Sequence, residues 1–153
     1  MKRFFVTLTL SIIIFGVLTY AMPKDFDNYV EAISSCGTVS IYCKQSELDG
    51  IDMGNGKIVQ CDVEALPTII KKCQDVDGVS VTFNGAQADV TRIARLLNLK
   101  DVFEYELDGL VVTCGKSAKV RGGVVIDGRF VNVQIAYKDG AVTVGSPLIL
   151  GSY

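Results

Sequence analysis

Histidine is absent from this 153-residue sequence, and none of its five cysteines stands in a Cys-x-x-Cys pair. Without an imidazole, the chain cannot form the Ser–His or Cys–His dyads that activate a nucleophile. The same two absences exclude the usual zinc sites, which are built from histidines and closely spaced cysteines. The sequence therefore predicts no catalytic residue, no metal site and no cofactor.

The sequence also lacks a phosphate-binding loop. The glycine-rich stretch 50–56 ends in Gly56-Lys57, but Ile51 occupies the position of the first glycine that a P-loop requires. Ile58 stands where the loop needs a serine or threonine hydroxyl. This stretch is therefore predicted to be a turn.

An excess of positive charge is missing as well. Lysine and arginine number 15 against 17 acidic residues, a net charge of −2. This balance argues against a nucleic-acid partner, which needs a basic surface. One basic cluster, Lys116, Lys119 and Arg121, is interpreted as a solvated loop, with an anion contact as the alternative.

The first 21 residues have the pattern of an export signal. Lys2 and Arg3 precede residues 4–20, which carry no charge, and Ala21 offers a small residue for cleavage. We predict a signal peptide over residues 1–21; the alternative is an uncleaved membrane anchor, the only membrane contact expected. Cleavage leaves 13 basic and 17 acidic residues, a net charge of −4. Residues 22–153 contain no linker or low-complexity tract and are predicted to form a single domain outside the cytoplasm.

The periodicity of apolar residues predicts the secondary structure. Spacing typical of helices occurs at 24–35, 62–73 and 88–99. Alternation typical of strands occurs at 38–43, 57–61, 78–85, 101–107, 110–114, 123–127, 130–137 and 141–145. Asp-Gly pairs at 127–128 and 139–140 predict hairpin turns, and the pair at 108–109 is interpreted in the same way.

These elements predict an α+β fold. Residues 48–76 and 76–102 each run from Asp-Gly through a strand into a helix, which favours two β–α units; chance similarity is the alternative. The predicted architecture is a curved, mainly antiparallel sheet with about three helices, in which the two β–α units are followed by a C-terminal β-meander. Pro147 predicts that the last segment, 147–153, lies at a sheet edge or against a helix.

All five cysteines follow the predicted signal peptide, so some are expected to pair in an oxidising compartment. A helix separates Cys61 from Cys73 by roughly 18 Å, and a strand separates Cys36 from Cys43 similarly, too far for a disulfide. The feasible partners of Cys43 are Cys61 and Cys114. In the alternative, all five are reduced and buried, or an unpaired thiol has a redox role, which requires an exposed thiol of low pKa.

The strand alternation also predicts a polar face on the sheet. Its uncharged hydrogen-bonding side chains are Ser40, Thr82, Thr113, Asn132, Gln134 and Thr143. Such a face is suited to a polysaccharide or an extended peptide; the alternative is an ordinary solvated sheet face. An open, concave face would support binding, whereas a helix packed over it would exclude binding.

Acidic residues provide an alternative hypothesis of hydrolysis. Glu104 with Glu106, or Asp49 with Asp52, are candidate carboxylate pairs for a glycosidase. Glu104 and Glu106 alternate with apolar residues, which favours a solvated strand face instead. Asp49, Asp52 and Asn55 share a loop but do not follow the EF-hand pattern.

The C-terminal segments VNVQIA and VGSPLI resemble the ending of the YwmB-like exported proteins of Gram-positive bacteria. The resemblance covers residues 103–153 best and depends on Asn132, Gln134, Gly145 and Pro147. It implies a fold similar to that of the TATA-box-binding protein, with helices on one side of a curved sheet, and an export signal. The expected location is extracellular or on the envelope face of a Gram-positive bacterium. It supplies no catalytic residues, and DNA binding does not follow from the fold. The present chain has a shorter hairpin turn and more cysteines.

Together, these observations predict an exported, non-enzymatic protein that binds a cell-wall polymer or another envelope protein through its sheet.

Overall fold

The computed structural model describes residues 22–107 and 109–150. The predicted signal peptide lies outside the described residues, and so does Asp108 of the predicted turn at 108–109. Three α-helices occur in the described part: α1 (Asp27–Ile33), α2 (Leu66–Ile69) and α3 (Gln87–Leu96). No described helix is long and apolar enough to cross a membrane.

Ten strands account for most of the remaining described residues. In chain order they are β1 (Thr38–Ser46), β2 (Ile51–Asp52), β3 (Lys57–Asp62), β4 (Cys73–Asn84), β5 (Lys100–Leu107), β6 (Leu110–Lys116), β7 (Val124–Ile126), β8 (Arg129–Val131), β9 (Val133–Lys138) and β10 (Ala141–Ser146).

Eight of these strands form one sheet in the order β2-β3-β1-β4-β10-β9-β6-β5, and every neighbouring pair is antiparallel. Strands β7 and β8 form a separate two-stranded hairpin. The predicted α+β class, the mainly antiparallel sheet and the three helices are confirmed. Strand β10 lies between β4 and β9, so the last strand joins the two halves of the sheet.

The main hydrophobic core lies between one face of the sheet and the helices. Helix α3 contributes Val90 and Ile93, which are buried as the helical spacing predicts, and Leu97 follows at its C-terminal end. Strands contribute side chains from the same face, including Val39, Ile41, Val79, Val81, Phe83, Val133, Ile135, Val142 and Val144. Because side chains alternate along a strand, the residues between these point to the other face.

The predicted helix at 62–73 is only partly helical. It consists of the single turn α2 between two 3₁₀ turns, Val63–Ala65 and Ile70–Lys72. Pro67 lies in the first turn of α2, and β-branched residues follow it directly, which lowers the helix propensity of the segment. Cys73 is already the first residue of β4.

The Asp-Gly pairs do not all form hairpin turns. Asp127 and Asp139 have φ values of 47° and 50°, and the glycine after each also has positive φ, as a tight hairpin turn requires. Asp77-Gly78, by contrast, lies inside β4. The register changes from Tyr42 opposite Gly78 to Cys43 opposite Val76, so Asp77 is the extra residue of a β-bulge.

Candidate binding groove

The sheet face opposite the helices, here called the polar face, carries a row of hydroxyl and amide groups at its centre. Ser40 lies between the core residues Val39 and Ile41, and Thr143 lies between Val142 and Val144. Their side chains therefore point away from the helices. The polar face is thus present in the part of the sheet formed by β3, β1, β4 and β10.

Hydrogen bonds join these side chains across the strands. Thr82 is opposite Thr143 in the register of β4 and β10, and the two hydroxyl oxygens are 3.0 Å apart. Gln60 is opposite Ser40, and its Nε2 donates to Ser40 Oγ at 3.2 Å. A hydroxyl has one donor and two acceptor sites, and an amide has two of each. After these bonds, donor and acceptor sites remain in the row, and the exposed Gln60 and Thr82 present theirs to a ligand, whereas Ser40 and Thr143 are buried.

A groove with a volume of about 540 Å³ lies over this row. The volume is within the range of small-ligand sites. Its polar lining comprises Thr38, Ser40, Gln60, Thr82 and Thr143, and its larger apolar side chains are Ile51, Ile58, Leu110, Ile149 and Leu150. Lys138 and Asp139 lie at the turn between β9 and β10 and add one charge of each sign. None of the lining residues belongs to a helix, so no helix covers the polar face at this place.

The residues that follow β10 form part of the groove. Pro147–Leu150, here called the C-terminal strap, cross the polar face. The Ile149 N–H donates to Gln134 Oε1 at 3.1 Å. Ser80 Oγ donates to the Leu150 carbonyl at 3.1 Å and accepts from the Leu150 N–H at 3.2 Å. The prediction that the C-terminal segment lies at an edge or against a helix is wrong for 147–150, because β10 is a central strand and these residues bond side chains on the sheet face. Residues 151–153 of the predicted segment lie outside the described residues.

Gly145 leaves room for the strap. A Cβ at this position would lie 2.5 Å from the Leu148 carbonyl oxygen and 2.7 Å from Ile149 Cα. Any larger residue would therefore push the strap away from the sheet. Ile149 packs against the second hydrophobic cluster, which contains Leu110, Val112 and Ala136.

Three of the six predicted residues of the polar face, Ser40, Thr82 and Thr143, line the groove. Gln134 is also on the polar face but lies beneath the strap. Besides its bond to the strap, it donates from Nε2 to Cys114 Sγ at 3.5 Å. Gln134 therefore anchors the strap and does not line the groove.

Thr113 lies on the opposite face. It is buried opposite Ile135, a core residue on the helix side, and its hydroxyl donates to Glu104 Oε1 at 2.9 Å. The side chains of β6 alternate as predicted, but the register with β9 decides which of the two alternating sets of side chains faces the helices. Thr113 is thus excluded from the groove.

Asn132 is a structural residue rather than a binding residue. It is buried, and its Oδ1 accepts from the Ser117 N–H at 2.7 Å. Its Nδ2 donates to the carbonyls of Ser117 and Val120, each at 2.8 Å. All these bonds fix the loop after β6, and Asn132 does not line the groove.

Sequence reasoning missed Thr38, Gln60 and the strap residues Ile149 and Leu150. Thr38 and Gln60 follow the same alternation as Ser40, so a register between β1 and β3 would have identified them. The strap has no periodic pattern, and its position depends on the tertiary location of β10.

Carboxylates are scarce in the groove. Among the described residues that line it, Asp139 is the single acidic residue, whereas glycosidases generally use two carboxylates. Glu104 is bonded to Thr113, on the opposite face. In the predicted loop, Asp52 Oδ1 accepts from the Gly54 N–H at 2.7 Å, a local turn contact. Over residues 22–107 and 109–150, no group of three His, Cys, Asp or Glu side chains is placed to hold a metal ion.

All five cysteines are free thiols in the structure. The expected disulfide of Cys43 with Cys61 or Cys114 is not formed. Cys43 is opposite Lys57, four residues along β3 from Cys61, and three strands of the sheet lie between Cys43 on β1 and Cys114 on β6. Both separations exceed the reach of a disulfide.

The buried thiols are not activated. Burial, and then the neighbouring Cys73 thiol, raises the pKa of Cys43 to about 11. Burial is also the main cause of the raised pKa of Cys61 and of Cys114. A redox thiol needs the opposite shift, since the thiolate is the reactive form. Cys43 and Cys114 thus pack as small buried apolar side chains, and Cys61 is half-buried at the edge of the core.

A second cavity, of about 710 Å³, lies beside α1 and the start of β4. Its charged lining residues are Asp25, Asp27, Asp77 and Arg121. Arg121 Nη1 is 3.4 Å from Asp25 Oδ1, and Lys44 Nζ is 3.6 Å from Asp77 Oδ2. Burial, followed by the charge of Asp25, raises the pKa of Asp27. Two of the three carboxylates are therefore already paired with cations of the protein.

Comparison of the chain with protein-family models, with curated proteins and with solved structures finds no match.

Proposed function

We propose that this chain is an exported protein of the cell envelope that binds its partner in the groove on the polar face and catalyses no reaction. The export part of the proposal is supported by the charge pattern of residues 1–21 and by the resemblance of 103–153 to YwmB-like proteins. The binding part is supported by the groove itself.

The observation that carries the proposal is the groove over Ser40, Thr82 and Thr143 at the centre of the sheet, where Thr82 is exposed and the buried Ser40 and Thr143 form the floor beside it. An ordinary solvated sheet face can also be polar, but here the polar row lies in a groove that is bordered by aliphatic side chains. Binding sites combine such walls with a few polar groups that fix orientation. The groove has both features.

The groove lacks the parts that a hydrolase needs. A single carboxylate, Asp139, lines its described part, and it is exposed at a turn. General acid–base cleavage requires a second group within reach. We therefore propose that the protein binds a ligand in the groove and does not hydrolyse it.

Two measurements test this proposal. Fractionation of the producing cells locates the protein, and mass spectrometry of its N-terminus shows whether residues 1–21 are removed. Residues 22–153 are also immobilised and exposed to solubilised envelope. We expect the protein outside the cytoplasm and a component retained by the native chain but lost with Thr82→Val/Thr143→Val.

Thr113→Val is the matched control, because it removes the same hydroxyl from the opposite face. Valine keeps the shape of threonine, so loss of the paired hydroxyls of Thr82 and Thr143 together has little effect on folding. Recovery of the protein in the cytosol with residues 1–21 attached would overturn the export part. Equal retention by both variants would overturn the binding part.

A further inference from the structure

The C-terminal strap shows that side chains of the polar face bind main-chain amide and carbonyl groups. Its main chain is bound by side chains of the sheet: Gln134 Oε1 accepts the N–H of Ile149, and Ser80 Oγ contacts both the carbonyl and the N–H of Leu150. One amide and one hydroxyl thus hold three main-chain groups. Peptide groups of a separate chain present the same donors and acceptors.

The groove continues this arrangement beyond the strap. Ser80 is followed on the same face of β4 by Thr82, which is paired with Thr143. Ser40 is opposite Ser80 on β1 and accepts from Gln60. Hydroxyls and amides that both donate and accept suit the alternating C=O and N–H groups of an extended peptide.

The walls of the groove select aliphatic groups. Ile51 and Ile58 lie on one side, and Leu110, Ile149 and Leu150 lie on the other. Ile51 is 57% exposed and offers its side chain to a ligand, whereas Ile58 and Leu110 are buried and back the walls of the groove. No aromatic ring lines the groove within the described residues. The negative π face of an aromatic ring is what attracts the C–H groups of a sugar, so these walls favour a peptide over a glycan.

The charge of the groove points to an uncharged ligand. Lys138 and Asp139 contribute one charge of each sign at a single end, and every other lining residue is uncharged. A strongly charged ligand would lose its hydration in the groove without a matching partner. The peptide portions of wall polymers carry ionised groups, whereas a segment of a protein can be free of them.

We infer that the groove binds an extended, uncharged segment of another protein, with aliphatic side chains against Ile51, Ile58 and Leu110 and with its main chain along Ser40, Thr82 and Thr143. The inference rests on the proposed function and names the class of ligand. The strap and the bound segment lie side by side on the same face of the sheet.

The test uses defined probes and residues 22–153. The peptide acetyl-Ser-Ile-Thr-Val-Ser-Leu-amide is titrated into isotope-labelled protein, and NMR shifts of the backbone amides are recorded. We expect shifts centred on Ser40, Thr82 and Thr143 and saturable binding. A hexamer of N-acetylglucosamine is the glycan probe, and the same peptide with both isoleucine and valine replaced by glutamate is the charged probe. Neither is expected to bind.

Two variants locate the site. Thr82→Val/Thr143→Val is expected to weaken binding of the neutral peptide about 10-fold or more, because it removes two hydroxyls that contact the main chain. Thr113→Val carries the same chemical change on the opposite face and is expected to bind with unchanged affinity. The amide spectra of both variants show whether they fold as the native chain does.

Binding of the glycan, or equal binding of the charged and neutral peptides, would overturn the inference. Shifts that spare Thr82 and Thr143 would overturn it too. These results are distinguishable from failure of the proposed function. Suppose that the native chain retains an envelope component, that Thr82→Val/Thr143→Val does not retain it, and that the peptide does not bind. The peptide ligand would then be rejected, and the binding function would stand.

Discussion

At the scale of single residues, the polar side chains of the sheet differ in the groups to which they are hydrogen-bonded. Thr82 and Thr143 bond each other at the floor of an open groove. Asn132 has the same polar character in the sequence but is buried and satisfies three main-chain groups of the loop after β6. A buried polar group is retained where its loss would leave partners unpaired, so Asn132 supports the fold, whereas the two threonines belong to the proposed binding groove.

Substitution of Asn132 by alanine is expected to lower the free energy of unfolding by about 2–4 kcal/mol, because it leaves the N–H and carbonyl of Ser117 and the carbonyl of Val120 without partners. Urea unfolding followed by circular dichroism measures the change. Asn55→Ala, in an exposed loop, is the control and is expected to cost under about 0.5 kcal/mol. A similar effect of both substitutions would contradict the structural role of Asn132.

The raised pKa of Cys43 predicts that the free energy of unfolding depends on pH. Its pKa is raised from 9.0 to about 11 in the fold, so between these values the unfolded chain releases a proton that the folded chain retains. The stability that the thiol contributes is therefore full below pH 9 and is lost as the pH rises to 11. The destabilisation caused by Cys43→Ala is expected to shrink between pH 8 and pH 10.5.

Urea unfolding of both proteins at the two pH values checks this. Val39→Ala removes a buried side chain from the same strand without a titrating group, so its destabilisation should not follow the same pH trend. A destabilisation by Cys43→Ala that stays constant with pH would show that the thiol is not held protonated by the fold.

At the scale of elements, the strap is the part of the chain whose position decides the shape of the groove. It is held by two side chains and by the packing of Ile149, and it lies close to the backbone at Gly145. The positions of most helices and strands in this protein can be predicted from local periodicity. The position of the strap depends on contacts with strands that are distant in the sequence.

Gly145→Ala is expected to displace the strap. The new Cβ would contact the Leu148 carbonyl and Ile149 Cα at 2.5 and 2.7 Å, and such overpacking costs about 1–3 kcal/mol. Hydrogen exchange should show faster exchange of the Ile149 and Leu150 amides. Gly78→Ala is the matched control, since its Cβ would meet the nearest atom, Leu150 Cδ1, at an ordinary 3.5 Å. Unchanged protection of both amides in Gly145→Ala would refute the close approach.

At the scale of the whole molecule, β10 unites two halves of the sheet. Strands β2, β3, β1 and β4 lie on one side of it, and β9, β6 and β5 lie on the other. The register of β10 extends over six residue pairs with β4 and five with β9. The core side chains of both halves meet across this strand.

Deletion of residues 142–153 removes β10 from Val142 onward and the strap, and the result is expected to be a chain without a cooperative unfolding transition. The remaining halves would each lose the apolar contacts of Val142 and Val144, which are fully buried. Thermal unfolding and amide dispersion in NMR measure this, with Thr143→Val as the control that keeps the strand. A truncated chain that still melts cooperatively at the native temperature would show that the halves are independent.

Much of the fold was predictable from local pattern. Helix α3 and the hairpins at Asp127 and Asp139 were identified because their signals lie within a few residues. The turn-rich segment around α2 was predicted less well, since Pro67 and the β-branched residues after it divide the helix into short turns. For the site, Thr82 and Thr143 were found by alternation, whereas Thr113 was assigned to the wrong face.

The sequence by itself determined the class of the fold, the length and order of most elements, and the absence of histidine-based chemistry, because composition and periodicity are local properties. The tertiary structure alone decided which alternating set faces the helices, that the cysteines lie too far apart to pair as expected, and that the C-terminal strap borders a groove. Those outcomes depend on the register between strands distant in sequence, and a shift of one residue exchanges the two faces of a strand.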